Sequence, residues 1–293
     1  MAMYNKIALV IIICFSIFSC NPLKKIESTK SVADEAFGKK EYSQAYTLYN
    51  NLINSYQKNN ITIPAKTYLN AAESAVQMNN TSHSVELFES ALKQEISIRG
   101  IKGLVNSYIK ESKYEKIEEV LKQYESFLVE NNESGYVKNL RFENEVSKGN
   151  QEGILSTYTN LEAPAEEQSM IYISTLEGLG RKKEAVEFCS EMIKKNPDYL
   201  KAREYKAIYY YNFAEEWYKN EMAKYNKDKN YTAYVYLKRE LKKISANYRV
   251  AKVEFEALHK AKPTDKKYIK YLKNTYIRLE MKNEAADMDK LLK

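Results

Sequence analysis

Glycine, histidine, cysteine and proline are all scarce in this sequence. Eight glycines in 293 residues is well under the usual share of roughly 7%. That excludes collagen-like chains and leaves little material for Gly-rich phosphate loops. Two histidines and three cysteines exclude a His-rich metal site and make a zinc site unsupported. No P-loop, G-x-S-x-G or H-E-x-x-H motif occurs. Acidic pairs such as Glu118-Glu119 and Glu215-Glu216 read as helix-surface charges, and nothing selects one of them as a glycosidase-like pair. The chain is therefore read as no enzyme, with no catalytic residue, metal ligand or cofactor site. What it has in quantity is tyrosine, 26 residues, and charge, 46 Lys+Arg against 39 Asp+Glu. Its 44% hydrophobic content is enough for a real core.

The address is written at the N-terminus. Lys6 supplies one positive charge, and the run from Ile7 to Ile13 carries almost no polar atom. That is the pattern of a secretory signal peptide, and it is too short to span a membrane comfortably. The run ends in Ile17-Phe18-Ser19-Cys20, which resembles the bacterial lipobox, with Phe18 bulkier than that motif prefers. The resemblance implies cleavage before Cys20, acylation of Cys20 and a membrane-anchored lipoprotein. Asn21, in place of aspartate, implies the outer membrane. Residues 1–19 are thus expected to be a lipoprotein signal peptide and 20–30 a lipidated tether. Cys14 leaves with the signal and Cys20 is acylated, so Cys189 is the one remaining thiol and no internal disulfide can form. At a packing position it is expected to be buried and inert.

Past the tether, strong helix formers alternate with short polar breaks, and a repeat emerges. Gly180-Arg181-Lys182-Lys183-Glu184-Ala185 leads to Phe188, Cys189, Met192 and Asn196-Pro197. The same phase recurs at Ala45, Tyr49 and Leu52; at Ser84, Phe88 and Ala91; at Ile117, Leu121 and Tyr124; at Ile154 and Tyr158; and at Leu272, Tyr276 and Ala285. These positions resemble those of the tetratricopeptide repeat (TPR), a unit of two antiparallel helices. A lone hairpin of amphipathic helices cannot cover its apolar face, but a stack can. The expected fold is all-α, a TPR-like α-solenoid of about six to seven helix-turn-helix units. The resemblance implies a concave groove that binds a partner protein. Repeats are expected over 31–199, and further repeats with a long hairpin over 200–293.

The sixth unit is about thirty residues too long. Tyr234, Leu237, Leu241, Ile244, Tyr248, Ala251, Phe255 and Leu258 follow one another at alternating spacings of three and four, a seam that demands a helix. Ala207, Tyr211, Ala214, Tyr218, Met222 and Tyr225 make a matching arm, and Asn226-Lys227-Asp228-Lys229-Asn230 suits a turn. The reading is one extended antiparallel helical hairpin over about 200–226 and 231–261. Ser245-Ala246-Asn247 is the expected place for a kink.

Charge follows the same division. Residues 200–293 hold 23 basic and 13 acidic side chains, whereas 20–199 hold 22 and 26. Lys238, Arg239, Lys242 and Lys243 crowd the returning arm. Either this is a solvated lysine face, or it meets an acidic protein, anionic lipid or a polyanionic glycan. The export signal argues against nucleic acid. Tyrosine and tryptophan favour interfaces, so Trp217, Tyr218, Tyr225 and Tyr231 join those four cations as candidate partner-binding residues. The expected function is a lipid-anchored scaffold of the bacterial cell envelope that binds an envelope protein. The alternative is an envelope lipoprotein that binds an anionic cell-wall glycan through its basic, Tyr-rich C-terminal third.

Overall fold

The structure is a computed structural model that describes residues 22–292. The signal segment and Cys20 lie outside the described residues. Fourteen helices follow one another among those residues: α1 (Pro22–Gly38), α2 (Tyr42–Lys58), α3 (Ala65–Gln77), α4 (Thr81–Gln94), α5 (Ile98–Lys110), α6 (Tyr114–Glu130), α7 (Ser134–Lys148), α8 (Gln151–Tyr158), α9 (Glu166–Gly178), α10 (Lys182–Lys195), α11 (Leu200–Lys227), α12 (Tyr231–Ala261), α13 (Lys266–Arg278) and α14 (Lys282–Leu291). No described helix is long and apolar enough to cross a membrane. The chain divides into two compact units, one ending at Lys148 and the other starting at Gly149. Within each unit helices pack mainly on their sequence neighbours, the quasi-one-dimensional stacking of repeat proteins.

The expected tether is helical from Pro22 onward. Proline suits the first turn of a helix, where its missing N–H costs nothing. Ile26, Ala33 and Ala36 then point into the core, so α1 is the first half of the first pair.

One turn recurs through the chain. Six of the short linkers between helices carry a residue in the left-handed region: Lys40, Asn79, Ser112, Gly149, Gly180 and Glu280, with φ between 54° and 76°. In five of these the next N–H reaches back to a carbonyl five residues earlier, as in Glu41 N to Ala36 O at 2.9 Å and Arg181 N to Leu176 O at 2.8 Å. This is the Schellman closure of a helix C-terminus. Glycine fills it only twice, because the chain has so little glycine. A side chain at positive φ costs about 1 kcal/mol. Ser112→Gly is therefore expected to stabilise the first unit by up to about 1 kcal/mol, read as a higher urea midpoint at constant slope. No gain would mean that the Ser112 backbone relaxes out of the left-handed region.

The first unit is held by apolar layers and one buried polar chain. Tyr49, Leu52, Phe88, Ile101, Leu121 and Leu128 are almost wholly buried. Phe88 lies so close to Gly103 that any Cβ there would meet its ring at 2.3 Å, which is how α5 approaches α4. The Tyr49 hydroxyl donates to Asp34 Oδ1 at 2.6 Å, Asn70 Nδ2 donates to the Tyr49 oxygen at 2.8 Å, and Arg99 Nη2 donates to Asn70 Oδ1 at 2.8 Å. Four helices thus share one satisfied network, the condition under which buried polar groups cease to be a penalty.

In the second unit α11 and α12 form a hairpin that is long in both arms. α11 has 28 residues and α12 has 31, against 13 in each of α9 and α13. At 1.5 Å per residue the excess over a 13-residue helix is roughly 22–27 Å. Leu237, Ile244, Tyr248, Ala251, Phe255 and Leu258 are buried in the seam as expected. Leu241 is half-buried, and Tyr234 is 50% exposed because the seam opens toward the turn. Asn230 caps α12 by accepting from Ala233 N at 2.8 Å. α12 is continuous helix through Ser245-Ala246-Asn247. The alanines of the outgoing arm, Ala207 and Ala214, are fully buried and let the two arms approach closely. Cys189 is buried, and that burial pushes its thiol up to about 12. It is an inert packing group at neutral pH.

Candidate docking site

The hairpin is locked at its base by ions that the sequence disguises. Glu254 is 5% exposed and is bound by Arg203 Nη1 at 2.5 Å and Lys206 Nζ at 3.0 Å. Glu215 is no ordinary surface charge, contrary to expectation. It accepts from Arg278 Nε at 2.7 Å, from Arg278 Nη2 at 2.9 Å and from the Tyr248 hydroxyl at 2.7 Å. The Arg278 guanidinium also lies over the Tyr218 ring, 4.1 Å from its centre. One carboxylate therefore ties α11, α12 and α13 together. Burial pushes the Glu215 carboxyl up, but the bonds from Arg278 and Tyr248 outweigh it and hold the group below its usual range.

With the base fixed, α11 presents an aromatic ladder. Tyr205, Tyr209, Phe213 and Trp217 recur every four residues, which places them on one slowly turning stripe of a helix. Tyr209 and Phe213 are parallel, 3° apart with ring centres at 6.3 Å, and Phe213 meets Trp217 at 5.7 Å. Phe213 is 45% exposed. Between this stripe and α9 lies an open cleft of about 560 Å3, floored by Tyr205, Ile208, Tyr209, Phe213 and Met170. Glu177 and Glu216 stand at its edge, with Lys182 and with Lys201, which pairs with Glu167 at 3.9 Å. The Tyr205 hydroxyl is buried without a hydrogen-bond partner, and burial followed by the nearby Glu177 charge raises its pKa. Glu204 is already bound by Lys267 and by the Tyr268 hydroxyl. Glu177 and Glu216 have no ion-pair partner among the described residues. An aromatic floor with free carboxylates on its rim suits an amphipathic segment that carries basic residues beside its apolar face.

A second cleft of about 540 Å3 opens beside α8. Beside this eight-residue helix the half-buried Tyr172 stacks on the buried Tyr158, 4.3 Å away, and Phe188 meets both rings edge-on.

The eight residues expected to bind a partner fall into three groups. Trp217 and Tyr218 are half-buried near the middle of the hairpin, Trp217 in the cluster of Ala214, Ile244 and Tyr248 and Tyr218 under Arg278. Tyr225 lines a small cleft at the tip, and Tyr231, 82% exposed, starts α12. Lys238, Arg239, Lys242 and Lys243 are exposed on α12. Only Trp217 adjoins the aromatic cleft, as the last rung of its ladder. Tyr205, Tyr209 and Phe213 were not singled out from sequence, although their four-residue spacing was there to be seen.

No family model and no curated protein sequence matches the chain. Among solved structures it is similar to the C-terminal part of a TPR repeat-containing protein from Cytophaga hutchinsonii, at 12% identity over 89% of this chain and 93% of that one, with a TM-score of 0.48. It is similar to a tetratricopeptide repeat protein from Parabacteroides merdae at 13% identity over 86% and 99%, with a TM-score of 0.45. A mutant of MamA is similar at 16% identity over 57% and 95%, with a TM-score of 0.43. The fold is defined by the chain's own geometry: paired helices, a recurrent left-handed turn, and small buried residues where the helices meet. By that geometry the described residues form an all-α array of helical hairpins, a TPR-like fold.

Proposed function

We propose that this protein is a non-catalytic scaffold of the bacterial cell envelope, anchored through an acylated Cys20 in the outer membrane, that holds a segment of an envelope protein in the α9–α11 cleft. The observation that carries the binding part is the half-exposed ladder of Tyr205, Tyr209, Phe213 and Trp217 beside two unpaired carboxylates. Rings that bury large area at low entropic cost are the usual anchors of protein interfaces. The anchor rests on the apolar run Ile7–Ile13 and on Ile17-Phe18-Ser19-Cys20. A photocrosslinking residue at position 209, in full-length protein in native envelopes, should give a discrete protein adduct. Glu177→Lys with Glu216→Lys should abolish it, and a crosslinker at Val253 should not produce it. Turning two rim attractions into repulsions at about 1.4 kcal/mol each is about a hundredfold in affinity. Cys20→Ala should move the protein from the membrane to the soluble fraction. Adducts at 209 that ignore the charge reversals would refute the cleft, and membrane retention of the Cys20→Ala protein at high salt would refute the anchor.

A further inference from the structure

We infer that the tip of the α11–α12 hairpin docks onto the anionic surface of a lipid bilayer. Residues 219–243 carry eight Lys or Arg against three Asp or Glu. The three acids are all engaged. Glu221 is buried and bound by Lys224 at 2.6 Å, Glu240 is buried and bound by Lys243 at 2.9 Å, and Asp228 accepts from Asn230 at 2.9 Å. Lys227, Lys229, Lys238 and Lys242 are exposed and pair with no carboxylate among the described residues. The field leaving the tip is therefore positive, and what it complements is negative. Among the cations stand apolar groups: Tyr231 is 82% exposed, Tyr234 50%, Val235 49% and Tyr236 44%.

Their arrangement favours a bilayer over an acidic protein. At 100° per residue, positions 231, 234, 235 and 236 lie at roughly 0°, 300°, 40° and 140° around α12. They span about 200° of the helix circumference, with Tyr234 where the seam opens toward the turn. A protein interface gathers its contacts on one face, whereas the headgroup layer meets a protruding tip from all round. Tyrosine rings and Lys or Arg stems also suit that layer, apolar body inward and polar end in water. The reading of the protein as envelope-anchored enters only to put a bilayer within reach.

The test uses full-length protein purified from bacterial membranes in detergent and added to vesicles. One set is phosphatidylglycerol with phosphatidylethanolamine, the other phosphatidylcholine alone. Tyr231→Trp in a Trp217→Phe background places the sole indole at the tip, and brominated acyl chains quench it on contact. Quenching is expected in the anionic vesicles and not in the neutral ones. It should vanish near 1 M salt, where the Debye length is about 3 Å. Lys227→Gln, Lys229→Gln, Lys238→Gln and Lys242→Gln together should weaken tip contact by about fivefold per charge with helicity unchanged. Equal quenching in both vesicle types, or none in either, overturns the inference; so does retention on purified cell-wall glycan or an acidic protein, through the same four cations, without quenching. Flotation with neutral vesicles reads the Cys20 anchor independently. A floating protein with a silent tip thus overturns this inference and leaves the anchored scaffold standing.

Discussion

Phe255→Ala should remove about 4 kcal/mol from the stability of the second unit, within the 3–5 kcal/mol range for deleting a fully buried phenyl ring. Phe255 has no exposed surface and sits where the long hairpin meets the last helix pair. Its ring stacks on Tyr271 of α13, 4.7 Å away and 11° from parallel, and meets Tyr211 of α11 edge-on at 6.3 Å. Alanine would leave a cavity bordered by three helices, and none can close it alone. α11 is fixed by Arg203 and Lys206 on Glu254, and α13 by Arg278 on Glu215. Trp217 is the only tryptophan and lies in this hairpin, so its fluorescence reports urea unfolding of the second unit. Far-UV circular dichroism follows both units together. A fall in the Trp217 midpoint, with an unshifted residual helical transition, is the expected pattern. A loss below about 1 kcal/mol would mean that the hairpin base is packed otherwise than described.

The hairpin was legible because every level of the sequence agreed. A seam at spacings of three and four, a matching arm and a polar turn all demand two helices, and the observed bounds of 200–227 and 231–261 follow from them. The recurrent turn was less legible, because Lys40, Ser112 and Glu280 occupy positions that glycine normally marks. The start of α1 was hidden by its sparse apolar pattern, with only Ile26, Ala33 and Ala36 buried in a stretch that otherwise reads as a polar tether. The aromatic cleft was obscured by abundance. α11 carries a seam stripe at 207, 211, 214 and 218 and a second apolar stripe at 205, 209, 213 and 217. A helix that is apolar on two sides gives periodicity little to separate. Composition offered Trp217 and Tyr218 as partner-binding rings, but their neighbours are Ile244, Tyr248 and Arg278, distant in sequence. The same distance concealed Glu215. Nothing local distinguishes it from Glu216; its partner lies 63 residues away.

That partner gives the second large effect. Arg278→Ala should cost about 2–3 kcal/mol, toward the low end for breaking a buried pair, because Arg278 is itself 30% exposed. Glu215 would keep only the Tyr248 hydroxyl, and Tyr218 would lose the cation over its ring. Acid titration separates this ion pair from mere packing. In the wild type the folded Glu215 carboxyl lies below its unfolded value near 4.3. The unfolded chain takes up the proton first, so the pair's contribution is complete above that value and is lost as pH falls through the folded one. In Arg278→Ala, burial dominates and pushes the carboxyl up. The sign then reverses, and protonation of Glu215 favours the folded state. Other carboxylates titrate in the same interval, so the quantity to measure is the difference in unfolding free energy between wild type and variant. That difference should shrink steadily from pH 6 toward pH 3, a range that spans the unfolded carboxylate value. In a Glu215→Gln background, Arg278→Ala should show a smaller cost and no such slope. A cost independent of pH in both backgrounds would reduce Arg278 to a packing residue and leave α13 held to the hairpin by Phe255 and Tyr271 alone.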